Sequence, residues 1–186
     1  MKAIVGGNVI DGTGAPVAVD STVVIDGERI LEVGPSAAVT VPPDAEVIDA
    51  TGMTVMPGLI DCHDHLISEN YDLLSRWGLD DPASLRFLRT ANVLEDTLLS
   101  GYTSVRDGGG LDAGFKMAIE GGVISGPRLM LSVNIISPTG GLADRVSPSG
   151  HRNLLYADPR MPSGVANGPD AVHGLVREMV RAGADV

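Results

Sequence analysis

The run Met56-Pro57-Gly58-Leu59-Ile60-Asp61-Cys62-His63-Asp64-His65-Leu66 closes an apolar stretch with two histidines spaced i and i+2. Side chains alternate along a strand, so His63 and His65 share a side with Asp61, while Cys62 and Asp64 face away. Two imidazoles delivered from one strand end can share a metal ion, which would polarise an amide or ester carbonyl and supply hydroxide near neutral pH. Histidine pairs at this spacing also arise by chance, so the flanks matter. Thr54 to Ile60 reads as a short buried strand broken by Pro57-Gly58, and the chain turns polar at Asp61, where a strand would end. Asp61 could orient a ligand imidazole from behind or cap the loop. Cys62 reads as a small buried apolar residue rather than a ligand, and Asp64 as a solvated or hydrogen-bonded loop residue.

The elements that must position these groups fall into two patterns. Residues 1 to about 55 read as all-β. Ser21 to Ile25 and Glu28 to Val33 flank Asp26-Gly27, a two-residue hairpin turn that accepts positive φ. Lys2 to Ile10 and Ala45 to Asp49 read as further short strands in a sheet too thin to close a core by itself. From residue 56 the pattern becomes strand, loop, helix. Asp81-Pro82 opens a helix in which Leu85, Leu88, Ala91, Leu94 and Leu98 keep helical spacing and Gly101 ends the run. Thr103 to Arg106 is the next strand, followed by Asp107-Gly108-Gly109-Gly110 and a short helix capped by Asp112. Arg128 to Val133 is a third strand. A loop from about Ser137 to Gly168 follows, of a length that inside a compact domain is usually functional or mobile. Pro169-Asp170 starts a helix with Val172, Leu175, Val176, Met179 and Val180 as its stripe, and Ala184-Asp185-Val186 opens a fourth strand. Such alternation implies a parallel sheet with right-handed crossovers.

The bulk numbers narrow the class. With 44% hydrophobic and 20% charged residues the composition is that of an ordinary globular chain. Aromatics are only 3%, so the core must rest on aliphatic residues and Met. A net charge of −11 argues against nucleic acid and anionic membrane as partners. The one cysteine allows no internal disulfide, which is compatible with a cytoplasmic location, and neither a secretory leader nor a membrane span is visible.

Several stretches together resemble the metal-dependent amidohydrolase superfamily, in the branch of imidazolonepropionase-like and Xaa-Pro dipeptidase (prolidase)-like enzymes. They are Pro57 to His65, Gly101-Tyr102-Thr103-Ser104-Val105-Arg106-Asp107, Gly126-Pro127-Arg128, Ile136-Ser137-Pro138-Thr139-Gly140-Gly141, and Arg181-Ala182-Gly183-Ala184-Asp185. The resemblance implies an α/β fold. Residues 1–55 would form half of a small composite, urease-like β domain. Residues 56–186 would form the first three β/α units of a (β/α)₈ TIM-like barrel, ending as strand four begins. A full barrel typically takes about 250 residues, so a half-barrel with an exposed apolar face and a tendency to associate is expected.

The resemblance also implies that His63 and His65 bind a divalent metal, usually zinc, with one or two ions in the intact enzyme. The remaining ligands and the catalytic aspartate would come from beyond Val186. Lys116 falls on the second helix and is no substitute for the family's ligand lysine. The implied activity is hydrolysis of amide, cyclic-amide or dipeptide C–N bonds in a small molecule or dipeptide-like substrate, with the 186-residue chain inactive alone. The alternative is a non-catalytic truncated homologue or binding module, and a homo-oligomer is compatible with either. Ser137, Thr139, Gly140 and Gly141 would present hydroxyl or N–H groups to substrate, whereas Leu142 stands where the branch often has histidine.

Four further residues read more blandly. Arg106 and Asp107 read as a structural ion pair. His151 reads as a solvated loop histidine and His173 as structural. The Gly108-Gly109-Gly110 loop lacks the G-x-G-x-x-G spacing of a nucleotide cradle.

Overall fold

A computed structural model describes residues 1–67, 82–144, 146–150 and 161–186. Two compact units divide the chain, Met1–Pro57 and Gly58–Val186.

The first unit is one sheet built from β1 (Lys2–Val9), β2 (Ala18–Asp26), β3 (Arg29–Pro35), β4 (Glu46–Asp49) and β5 (Thr54–Val55). Its order is β3-β2-β1-β4, with β5 also pairing β1. β1 is antiparallel to β2 and parallel to β4 and β5. The β2–β3 hairpin turns one residue later than the sequence suggests. Asp26 pairs with Arg29, so Gly27 and Glu28 are its central residues. Gly27 has φ +55°, at the first central position, where glycine carries no steric cost. Ala3, Val23 and Val24 are buried, yet Ile30, Leu31, Val33, Val47 and Ile48 remain exposed. A five-stranded sheet of this size leaves much apolar area without cover.

The second unit carries β6 (Leu59–Asp64), α1 (Ala83–Leu99), β7 (Tyr102–Asp107), α2 (Ala113–Glu120), β8 (Arg128–Leu131) and α3 (Pro169–Arg181). Its strands are parallel, in the order β6-β7-β8. Thr54 to Ile60 is therefore not one strand. Thr54-Val55 joins the first sheet, Pro57-Gly58 is the junction, and the strand bearing the histidines runs on to Asp64. Leu59 and Ile60 are exposed rather than buried, because β6 is an edge strand among the described residues.

Leu66, Leu94, Val105, Leu111, Phe115, Leu129, Leu131, Val133, Leu175 and Met179 form the core of this unit. Phe87 of α1 meets Phe115 of α2 edge to face, with ring centroids 5.8 Å apart. Leu94 is fully buried and Thr90 nearly so, its hydroxyl donating to the Arg86 carbonyl, whereas Leu88 is exposed. The buried face of α1 thus runs through Phe87, Thr90 and Leu94, a stripe offset from the one expected. The Asp81 cap lies outside the described residues.

In α2 the Asp112 carboxylate accepts the Gly114 N–H at 2.8 Å, so this cap forms as read. In α3 the buried residues are Leu175 and Met179, while Val176 and Val180 are exposed.

β8 ends two residues earlier than expected. Val133 has φ +66°, a conformation that a β-branched residue rarely adopts, and Asn134 N–H donates to the Ser132 carbonyl at 2.7 Å. That i to i+2 bond makes a tight γ-turn and stops the strand. Val133 is held there by burial of its side chain and by the Gly110 N–H, which donates to its carbonyl at 3.1 Å.

The start of a fourth strand is present as hydrogen bonds rather than as a ladder. The N–H groups of Asp185 and Val186 both donate to the Leu131 carbonyl, at 2.7 and 3.2 Å. No described helix is long and apolar enough to cross a membrane.

Candidate metal-binding site

His63 is the fifth residue of β6 and His65 lies one residue beyond its end. Their rings stand edge to face with centroids 5.2 Å apart. His63 is exposed and His65 half-buried. The backbone between them is set by two neighbouring carboxylates. Asp61 accepts the His63 N–H at 2.8 Å, and Asp64 accepts the His65 N–H at 2.7 Å. Asp61 caps the loop through its Oδ1, which accepts from backbone two residues on. Cys62, expected to be buried, is exposed on this edge strand.

The floor of the site is the loop after β7. The Gly108 N–H donates to the Asp64 carbonyl at 2.6 Å, bringing the loop against the end of β6. A Cβ added to Gly108 would lie 2.8 Å from His63 Cε1, 3.1 Å from His63 Nε2 and 3.1 Å from His65 Cε1. Both imidazoles therefore rest on a backbone that only glycine can supply without displacing them. Gly109 and Gly110 have φ +129° and +119°. The Gly109 carbonyl lies 3.0 Å from His65 Nδ1. Gly108 and Gly109 let the backbone approach two rings. A glycine run directly after a strand's last residue was the signal in the sequence.

Asp107 does not pair with Arg106. The two alternate along β7, and Arg106 is exposed while Asp107 is fully buried. Its carboxylate accepts three backbone N–H groups, from Leu66 at 3.2 Å, Gly109 at 3.1 Å and Leu111 at 3.3 Å. Burial pushes the Asp107 carboxyl above the usual range, against those donors and the nearby His65, which pull it down.

The residues expected to contact substrate hydrogen-bond within their own loop. Ser137 Oγ accepts the Ala143 N–H at 2.8 Å. Thr139 and Asn167 bond to each other twice, at 3.0 and 2.8 Å. The Gly140 N–H donates to Asp144 at 2.8 Å, and the Gly141 N–H to the Pro138 carbonyl at 2.9 Å. These groups are engaged in building their own loop, which Ser137 and Val165 close at its base. Leu142 is exposed. Lys116 on α2 donates to both oxygens of Asp185, at 2.8 and 2.9 Å. His173 is exposed on α3, so it fills no structural role in the core, and His151 lies outside the described residues.

His63, Asp107 and the Ser132–Asn134 turn all stand at the C-terminal ends of their strands. Parallel β/α proteins carry their chemistry at that end. Among the described residues no cluster of three or more His, Cys, Asp or Glu is placed to hold one ion, and the imidazole pair is the donor set at this strand end. The donor set fits a borderline cation such as zinc as two of four ligands.

Fold and site together define a parallel β/α partial barrel whose first strand ends in paired imidazoles. The chain belongs to the Amidohydrolase family, whose profile matches residues 54–186. It is 31% identical over 199 residues to the ochratoxinase of Aspergillus niger, an alignment covering 98% of this chain and 40% of that protein. It is 28% identical over 132 residues to the imidazolonepropionase of Rhizobium rhizogenes, covering 58% and 32%. Among solved structures, a prolidase complexed with N-methylphosphonate-L-proline superposes with TM-score 0.82 at 36% identity, covering 98% of this chain and 44% of that one. A Xaa-Pro dipeptidase with bound methionine gives TM-score 0.81 at 28% identity, covering 99% and 45%. The chain spans less than half the length of these relatives, and corresponds to their N-terminal portions.

Proposed function

We propose that this chain is the N-terminal, metal-binding part of a hydrolase that cleaves C–N bonds of small amide substrates, dipeptides or cyclic amides among them. The carrying observation is the convergence of His63 and His65 over Gly108 in a member of the Amidohydrolase family. His63 and His65 would hold a divalent ion, zinc by donor type, and the intact enzyme would hold one or two. Such an ion, when bound, supplies Lewis-acid polarisation of a carbonyl and lowers the pKa of water towards 7. The contribution of these residues is to present two imidazole nitrogens from one strand end and to keep them apart from bulk solvent on one side, where the glycine floor lies. The carbonyl contact at His65 Nδ1 leaves Nε2 as that ring's ligand nitrogen. The prolidase and Xaa-Pro dipeptidase likeness favours dipeptide-like substrates, and a cytoplasmic location suits the lone exposed cysteine.

Two nitrogens leave a tetrahedral ion half coordinated, so the 186-residue chain is expected to bind zinc without turnover. The test is zinc competition against a chromogenic chelator for the wild type, His63→Ala and His65→Ala, with a panel of Xaa-Pro dipeptides assayed in parallel. Loss of uptake in both variants supports the proposal. Equal uptake in all three chains, or dipeptide hydrolysis by the chain that survives both substitutions, would sink it.

A further inference from the structure

We propose that Asp107 is a positioning residue that selects which nitrogen of His65 is free to bind metal. This deepens the reading of His63 and His65 as ligands and rests on it. Asp107 is a fully buried carboxylate whose three hydrogen bonds go to backbone of two separate segments. One donor, the Leu66 N–H, belongs to the residue directly after His65. The others, from Gly109 and Leu111, belong to the loop that faces the ring. Leu66 is itself buried in the core, which anchors that segment from the other side.

The peptide groups of Gly109 are the link. Its N–H is held by Asp107, and its carbonyl lies 3.0 Å from His65 Nδ1. A carbonyl can only accept, so this contact requires the ring proton on Nδ1. In a neutral imidazole the lone pair then lies on Nε2. Metal-ligating histidines are oriented by a partner on the other nitrogen, and here the partner is a carbonyl that the carboxylate holds in place. Gly109 has φ +129°, a conformation open to glycine, which lets one peptide unit offer its N–H to Asp107 and its carbonyl to the ring. Asp107 supplies that hold at both ends, fixing the ring-bearing segment through Leu66 and the acceptor through Gly109.

Asparagine at position 107 would keep the shape but turn one acceptor into an NH₂ donor, opposed to the Leu66 N–H or to the Gly109 and Leu111 N–H groups. The experiment records long-range ¹⁵N–¹H imidazole correlations on the full 186-residue chain at pH 7.5, metal-free and through a zinc titration, for the wild type and Asp107→Asn. Circular dichroism checks the fold. The metal-free wild type is expected to show His65 as the Nδ1–H tautomer. Asp107→Asn is expected to shift His65 towards Nε2–H, leave His63 unchanged, and weaken zinc by roughly 10–100-fold. If the asparagine variant does not fold, Asp107→Ser, smaller and retaining one acceptor oxygen, takes its place with the same expectation.

His65 found as Nε2–H in the wild type overturns the proposal, as does a folded variant with unchanged tautomer and unchanged zinc affinity. If the wild type takes up no zinc yet His65 is Nδ1–H and loses that form in the variant, the metal reading fails while the positioning role of Asp107 stands.

Discussion

The imidazole of His63 lies directly against the α-carbon of Gly108, so close that a methyl group there would come within 2.8 Å of its Cε1. Gly108 sits between the buried Asp107 and the positive-φ Gly109, so its backbone has little room to give way. Gly108→Ala should therefore move the rings rather than the chain. The expected outcome is a destabilisation of about 1–3 kcal/mol from overpacking, with zinc affinity lowered by tenfold or more. Chelator competition and urea denaturation measure the two effects. Unchanged affinity in a folded Ala variant would mean that the rings do not rest on this glycine.

Adjacent residues of α3 offer a test of its orientation. Leu175 is 7% exposed and Val176 is 44% exposed. Truncating a buried leucine costs about 2–5 kcal/mol, including the cavity it leaves, whereas surface changes mostly stay within about 0.5 kcal/mol. Leu175→Ala should thus shift the urea midpoint strongly and Val176→Ala barely. A reversed order would place the stripe on the other side of the helix.

Asp185 gives a pH dependence with a definite sign. Hydrogen bonds from Lys116 and from the Leu131 N–H hold its carboxyl below the usual range. A depressed folded-state pKa contributes stability that is fully present above the unfolded value of about 3.9, and that is lost as pH falls through the lower folded value. The pair is about one-third exposed, so solvent screening limits its worth to roughly 1 kcal/mol. Asp185→Asn should be less stable than wild type at pH 6, and the gap should close towards pH 2–3. A gap that is the same at both pH values would show that the charge is not what holds this contact.

Ile60, Val176 and Val180 are exposed within the second unit, and the two valines line a groove of about 200 Å³ with Ile136, Ala184 and Val186. Apolar surface of this kind promotes association. Sedimentation velocity should show a concentration-dependent rise in mean mass, and Val176→Ser/Val180→Ser should reduce it. If the double variant associates as strongly as wild type, the groove is not the contact.

Much of this protein was legible one residue at a time. The i, i+2 histidines at a strand end, the alternation of strand and helix after residue 56, the Asp112 cap and the β2–β3 hairpin all follow from local rules. Side-chain period, turn chemistry and capping act over a few residues, so sequence alone carries them. What failed was what depends on neighbours distant in the chain. The buried faces of α1 and α3 each differ from the apolar pattern, because which leucine or valine is covered is decided by what packs against it. Cys62 and Ile60 are exposed because β6 lies at an edge of the sheet among the described residues.

The role of Asp107 is the clearest case. In sequence it stands next to Arg106, and opposite charges one residue apart suggest a pair. A strand sends them to opposite sides, and the tertiary structure surrounds Asp107 with three N–H groups from residues 66, 109 and 111. Residue types and spacing determined that two imidazoles share one side of a strand end. Only the tertiary structure placed the glycine loop beneath them, through the Gly108 N–H to Asp64 carbonyl bond and the His65 and Leu66 contacts to residues more than forty positions away.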